Sequence, residues 1–118
     1  MAELLRASVV FVTAPRPTRV WNEQFGLAYL EAMASGLPVV TTACGSNHEA
    51  VRPPNRRVAD DAEALAEALA GFLGDPALRA EVGHENRRNV LERHELHRQC
   101  ARLGEAFRAA DGGETAGP

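Results

Sequence analysis

Cysteine is scarce in this chain of 118 residues: Cys44 and Cys100 are the only two. They stand far apart and give no disulfide framework of the kind that staples small secreted domains. Both read as small buried hydrophobes. Long hydrophobic runs are missing too. No stretch approaches the roughly 20 apolar residues that cross a bilayer as a helix, and Met1 is not followed by the basic, then apolar, pattern of a secretory signal. The expected compartment is the cytoplasm. An excess of either charge is also lacking: net charge is −3 with both signs mixed. No basic face therefore argues for nucleic acid, and no acidic tail for a charged ligand. There is no Gly-x-Ser-x-Gly elbow and no Walker loop. His94-Glu95-Leu96-His97 has the wrong spacing for His-Glu-x-x-His, whose histidines stand one helical turn apart, so it reads as surface at a helix junction. Cys44 and His48 can meet across a turn, but nothing supplies further ligands, and no metal or cofactor is implied. A chain of this length holds one domain with a modest core.

What is present centres on two glutamates, Glu23 and Glu31, with seven residues between them. From Leu27 to Ala34 every residue but Glu31 is apolar or small, so a helix here is apolar nearly all round and belongs against a sheet. A carboxylate on such a helix either finds a partner, a ligand hydroxyl being one, or sits solvated at the helix rim. Short β-branched runs flank the helix: Ser8-Val9-Val10-Phe11-Val12-Thr13 before it and Leu37-Pro38-Val39-Val40-Thr41-Thr42 after it. Runs of this kind suit strands buried on both faces of a parallel sheet. Ser35-Gly36 gives a helix stop, and Pro38 is tolerated at a strand start. Strand, helix and strand make a βαβ unit with a right-handed crossover. The connection from Ala14 to Phe25 is far longer than such a unit needs, and it leaves from the carboxyl end of the first strand, where open α/β sheets bind ligands. Were all eight steps helical, the two glutamates would point about 80° apart at roughly 100° per residue. With Glu23 on the loop, both can converge on one ligand.

The stretch Asn22-Glu23-Gln24-Phe25-Gly26-Leu27-Ala28-Tyr29-Leu30-Glu31-Ala32-Met33-Ala34-Ser35-Gly36-Leu37-Pro38-Val39-Val40 resembles the Glu-x7-Glu motif of retaining, nucleotide-sugar-dependent glycosyltransferases of family 4, which have the GT-B fold of two Rossmann domains. The similarity continues through Gly45 to Val51, Val58-Ala59-Asp60 and Asp75 to Arg79, and covers roughly residues 3–109. The resemblance implies that Glu23 contacts the donor sugar, and is the catalytic candidate, while Glu31 takes the ribose hydroxyls of the nucleotide. A carboxylate accepts two vicinal hydroxyls. The amides of Phe25, Gly26 and Leu27 at a helix N-terminus suit a phosphate or sugar oxygen, and Gly26 lets a ligand approach the backbone. The donor-binding set is thus Glu23, Gln24, Phe25, Gly26, Leu27 and Glu31, with an NDP-sugar as partner.

Against the family pattern, the acceptor domain, the first strands of the donor domain, and the Arg and Lys used on the donor diphosphate are missing. Arg16 and Arg19 lie on the long loop and read as solvated charges. Residues 1–110 are therefore expected to be the C-terminal part of a GT-B donor-binding domain, inactive in isolation, and 111–118 a disordered tail. Ser46 and Glu49 form a capping box at the start of a short helix, and His48 stands where the family usually has proline. The second half is helical scaffold: a helix over 62–73 capped by Asp60 or Asp61, one over 77–92 after Asp75 and Pro76, and an amphipathic helix over 95–109 with Leu96, Cys100, Leu103 and Phe107 at helical spacing. The fold class is α/β, a partial Rossmann-like parallel sheet of 9–13, 39–42 and 57–59 with flanking helices. The unpaired apolar edge of the first strand is a template for association, either with a missing acceptor-domain chain or with itself. Two other functions stay open: a non-catalytic nucleotide-sugar binder, and a protein-interaction module.

Overall fold

The computed structural model describes residues 1–22 and 26–111. In chain order the elements are α1 (Ala2–Arg6), β1 (Phe11–Thr13), α2 (Leu27–Ala34), β2 (Val39–Thr42), β3 (Arg56–Val58), α3 (Ala62–Leu73), α4 (Pro76–Arg93) and α5 (Leu96–Asp111). The strands form one parallel sheet in the order β1-β2-β3, so the fold is α/β and partially Rossmann-like. In register, Phe11 faces Val39, Thr13 faces Thr41, and Thr41 faces Arg57.

The central strand β2 explains why helices cover both faces. All four of its residues are buried, and successive side chains point to opposite sides. Val39 joins Leu5, Tyr29, Met33 and Leu37 under α1 and α2. Val40 joins Phe72 of α3 and Val82 of α4 on the other side. Fully burying one such valine is worth about 1.5–3 kcal/mol. The first strand is shorter than its apolar run. Its ladder begins at Phe11, whose amide donates to the Pro38 carbonyl at 3.0 Å, and Val9 and Val12 are exposed. An edge strand has a partner on one side alone, so its pattern is not that of a doubly covered strand. The third strand lies one residue earlier than expected.

The end of α2 is a Schellman motif: Leu37 N–H donates to Ala32 O and Gly36 N–H to Met33 O, at 3.1 and 3.0 Å. Gly36 has φ 78°, which only glycine adopts without strain. Gly83 of α4 lies against this turn. A Cβ there would overlap the Gly36 carbonyl oxygen and lie 2.9 Å from its carbonyl carbon. Three residues on, buried Asn86 donates to Leu37 O at 2.8 Å and pairs its amide with that of Asn55, also at 2.8 Å. The Asn55 Oδ1 in turn accepts the Val39 amide at 2.9 Å. One polar pair thus ties α4 to the start of β2 and to the chain entering β3.

The helices of the second half form as their caps dictate. Asp61 accepts from the Ala64 amide and Asp75 from the Leu78 amide, both at 2.9 Å. Pro76 opens α4. Two expectations fail. Residues 45–50 are successive turns rather than a helix; Glu49 N–H donates to the Ser46 carbonyl. Gly45 at φ 52° and the side chain of Asn47, which donates to Thr42 O at 2.8 Å, hold this segment in place of a capping box. Cys100 is exposed, not buried, as are Leu96, Leu103 and Phe107 of the same stripe on α5. Asp111 ends α5, and the rest of the tail expected to be disordered lies outside the described residues. Among the described residues no helix is long and apolar enough to cross a membrane.

Candidate functional site at the carboxyl ends of the strands

β1 and β2 end side by side at Thr13 and Thr42, and α2 begins above them. Gly26 is the N-cap of α2 with φ 74°, and among the described residues no side chain caps this helix start. The amide of Tyr29 is taken by the Gly26 carbonyl at 3.1 Å. The first amides of the helix therefore remain as donors with the positive end of the helix dipole behind them. Gly26 is required by its own backbone conformation, a stricter reason than ligand approach. Glu23, Gln24 and Phe25 lie outside the described residues.

Glu31 is exposed. The helix that reads as apolar all round buries Tyr29, Ala32 and Met33 and leaves Leu27 69 % exposed. Glu31 needs no partner inside the fold, so burial is not the reason for its presence. Leu27 and Glu31 are one turn apart and form an open strip on α2.

Beneath this strip lies a cluster that the sequence reading missed. The Thr13 and Thr41 hydroxyls are 2.9 Å apart, and the Tyr29 hydroxyl is 3.1 Å from Thr41 and 3.3 Å from Thr13. Asn47, fully buried, donates toward the Tyr29 hydroxyl at 3.5 Å and accepts from Arg57 Nε at 2.9 Å. Thr42 Oγ1 donates to Pro15 O at 2.8 Å, which starts the long loop. Arg16, expected to be solvated, pairs with Asp60 at 3.1 Å and joins the loop after β1 to the segment after β3. Both side chains are largely exposed, so the pair orders the loop more than it stabilises the fold. The sequence shows a threonine closing each of two neighbouring strands, and the register that pairs Thr13 with Thr41 brings them together.

Cys44 is buried, and its thiol donates to Asn22 Oδ1 at 3.3 Å; His48 is exposed. Among the described residues no three His, Cys, Asp or Glu side chains are grouped to hold a metal ion. At the far junction, His94 caps α4, and Glu95 caps α5 by accepting the amides of His97 and Arg98, each at 3.0 Å. Those two bonds, His97 first, pull the Glu95 carboxyl below its ordinary value of 4.5. The site at the strand ends offers amide donors and one exposed carboxylate, braced from inside by the buried hydroxyl cluster. It can bind a polyol or an anion, and the described part holds no nucleophile with an adjacent base.

The family model described as glycosyl transferases group 1 matches residues 1–75. A lipopolysaccharide core biosynthesis mannosyltransferase, LpcC, of Rhizobium leguminosarum is 36 % identical over 89 residues, which is 73 % of this chain and 25 % of that protein. A second lipopolysaccharide core mannosyltransferase, LpsB of Rhizobium meliloti, is 42 % identical over 75 residues, 59 % of this chain and 20 % of its own length. A GDP-mannose-dependent monoacylated phosphatidylinositol monomannoside mannosyltransferase of Corynebacterium glutamicum is 39 % identical over 70 residues, 58 % of this chain and 18 % of that protein. The chain spans a quarter or less of the length of these relatives. The family match takes in β1, α2, β2 and the turns that brace them, and the chain belongs to the glycosyl transferases group 1 family.

Proposed function

We propose that this chain supplies the donor-binding side of a retaining GT-B glycosyltransferase that transfers a hexosyl group from a nucleotide sugar. The observation that carries the reading is the start of α2: open amides at Gly26 and Leu27, with the exposed carboxylate of Glu31 one turn further on. Glu31 holds the ribose hydroxyls, Glu23 contacts the sugar, and the backbone from Gln24 to Leu27 faces the diphosphate. Because three of the relatives are named mannosyltransferases, and one GDP-mannose-dependent, GDP-mannose is the first donor to test. Retaining transfer also needs an acceptor held against the anomeric carbon and cations on the departing diphosphate. These 118 residues, whose cationic side chains are all arginine, are expected by themselves to bind a donor and not to turn it over.

Glu31→Ala is expected to weaken binding of GDP by about 1.5–3 kcal/mol, the worth of hydrogen bonds to a charged group, and Glu31→Gln by less. Isothermal titration measures this directly. Equal affinity of wild type and Glu31→Ala would remove the ribose role.

A further inference from the structure

At the opposite end of the sheet a second crevice opens between the turns that follow β2 and the α4–α5 corner. It is an open crevice of about 450 Å³ lined by Glu49, Arg52, Arg93, His94, Gln99 and Arg102. Its place is fixed by Asn55, three residues beyond Arg52, whose side chain bonds the first amide of β2. The crevice therefore lies at the amino end of the strands, away from the start of α2.

Arginines from three segments line it beside a single glutamate, in a chain whose net charge is −3. Among the described residues the ion pair within 4.0 Å is Arg16 with Asp60, so Glu49 does not neutralise Arg52, Arg93 or Arg102. Arg52 is held by its Nε bond to the Glu49 carbonyl at 3.1 Å. That bond fixes the side chain while leaving its charge uncompensated. Gln99 donates to the Arg93 carbonyl and draws the first turn of α5 over the corner.

We propose that this crevice is a phosphate-binding site, separate from the donor site, that takes a phosphomonoester or diphosphate group. Guanidiniums present paired donors that match phosphate oxygens. Single exposed charges are weakly felt through salt, so the ligand must carry at least two negative charges to gain from three cations together. His94 lies among these groups, and its pKa is held below the ordinary 6.5, first by burial and then by Arg93 and Arg52.

The phosphate has two possible sources, a free ligand and a lipid headgroup, and the experiment has an arm for each. Inorganic pyrophosphate is titrated into the labelled full chain at low ionic strength and followed by NMR. Vesicles of phosphatidylcholine with and without phosphatidic acid are tested by co-sedimentation. Saturable shifts at Arg52, Arg93, His94 and Arg102, with the His94 ring titrating at higher pH when pyrophosphate is present, support a free phosphate ligand. Sedimentation that requires phosphatidic acid supports a headgroup. In either arm Arg52→Ala with Arg93→Ala should weaken binding by about tenfold or more, and Arg102→Glu should do the same, while circular dichroism shows both variants folded, as expected for exposed side chains. Shifts spread over all arginines without saturation, or binding unchanged in these variants, would overturn the proposal.

Discussion

Helices α4 and α5 are joined by two residues, yet the structure treats them differently. α5 has the cleaner apolar stripe in sequence, with Leu96, Cys100, Leu103 and Phe107 at helical spacing. It buries none of it: Leu103 and Phe107 are 57 % and 64 % exposed. α4 is studded with charges and shows little of a stripe, but it buries Val82, Gly83 and Asn86. It docks through the absence of a side chain at Gly83 and through one polar pair, Asn86 with Asn55. Amphipathic periodicity says which face of a helix can be buried. It does not say that anything is there to bury it, and it overlooks contacts made by glycine and asparagine.

The contrast can be broken most sharply at Gly83. Gly83→Ala drives a methyl into the Gly36 backbone, and α4 must move off the turn that ends α2. Overpacking costs typically 1–3 kcal/mol, and with backbone on the receiving side about 3 kcal/mol or more is expected. A denaturant midpoint within error of wild type would mean that α4 is not held as described. Next comes Asn86→Ala. It removes the two bonds between the Asn86 and Asn55 amides and the one to the Leu37 carbonyl, while Asn55 keeps the Val39 amide and the Arg52 carbonyl, at about 2 kcal/mol in all. Unfolding followed by tryptophan fluorescence measures this, and a loss below about 0.5 kcal/mol would make the pair incidental. For α5 the expectation is the reverse. Phe107→Ser should change stability by no more than about 0.5 kcal/mol, as for surface sites generally; a cost above about 2 kcal/mol would show that its stripe is covered in solution.

The smallest effect concerns pH at the α4–α5 corner. Glu95 has its folded pKa lowered from 4.5 by the His97 and Arg98 amides. Its contribution is therefore full above about pH 4.5 and is lost as pH falls through the lower folded value. His94 is likewise lowered from 6.5, chiefly by burial, so the unfolded chain binds that proton first as pH drops below about 6.5, and stability falls in the same direction. Glu95→Gln should flatten the lower of these two steps in a pH series of thermal melts and leave the upper one in place.

Most of the frame was legible in the sequence for physical reasons. β2 is a continuous β-branched run because both its faces are covered, and Asp61, Asp75 and Gly36 mark helix ends by caps whose chemistry is local. What escaped notice depends on tertiary contact. The length of β1 is set by having one neighbour, the turns at 45–50 are set by Asn47 reaching Thr42 and Arg57, and the exposure of Glu31 is set by which side of α2 meets the sheet. Of the candidate site, Gly26 and Glu31 were put forward from the sequence through the Glu-x7-Glu resemblance. The Thr13–Thr41–Tyr29 cluster was not, since it needs the strand register to be seen.

The two outer strands differ in what they present sideways. β1 ends the sheet with Val12 exposed, and Val9 exposed just before it, whereas β3 ends it with Arg56 and Arg57. Arg56 lies over the Phe72 ring at 5.9 Å and Arg57 is bonded to Asn47, so both charges are tied to the strand that carries them. A basic edge repels a second strand, and an apolar one invites it. Within this three-stranded sheet a further strand, from the same polypeptide or another, is favoured next to β1 and disfavoured next to β3.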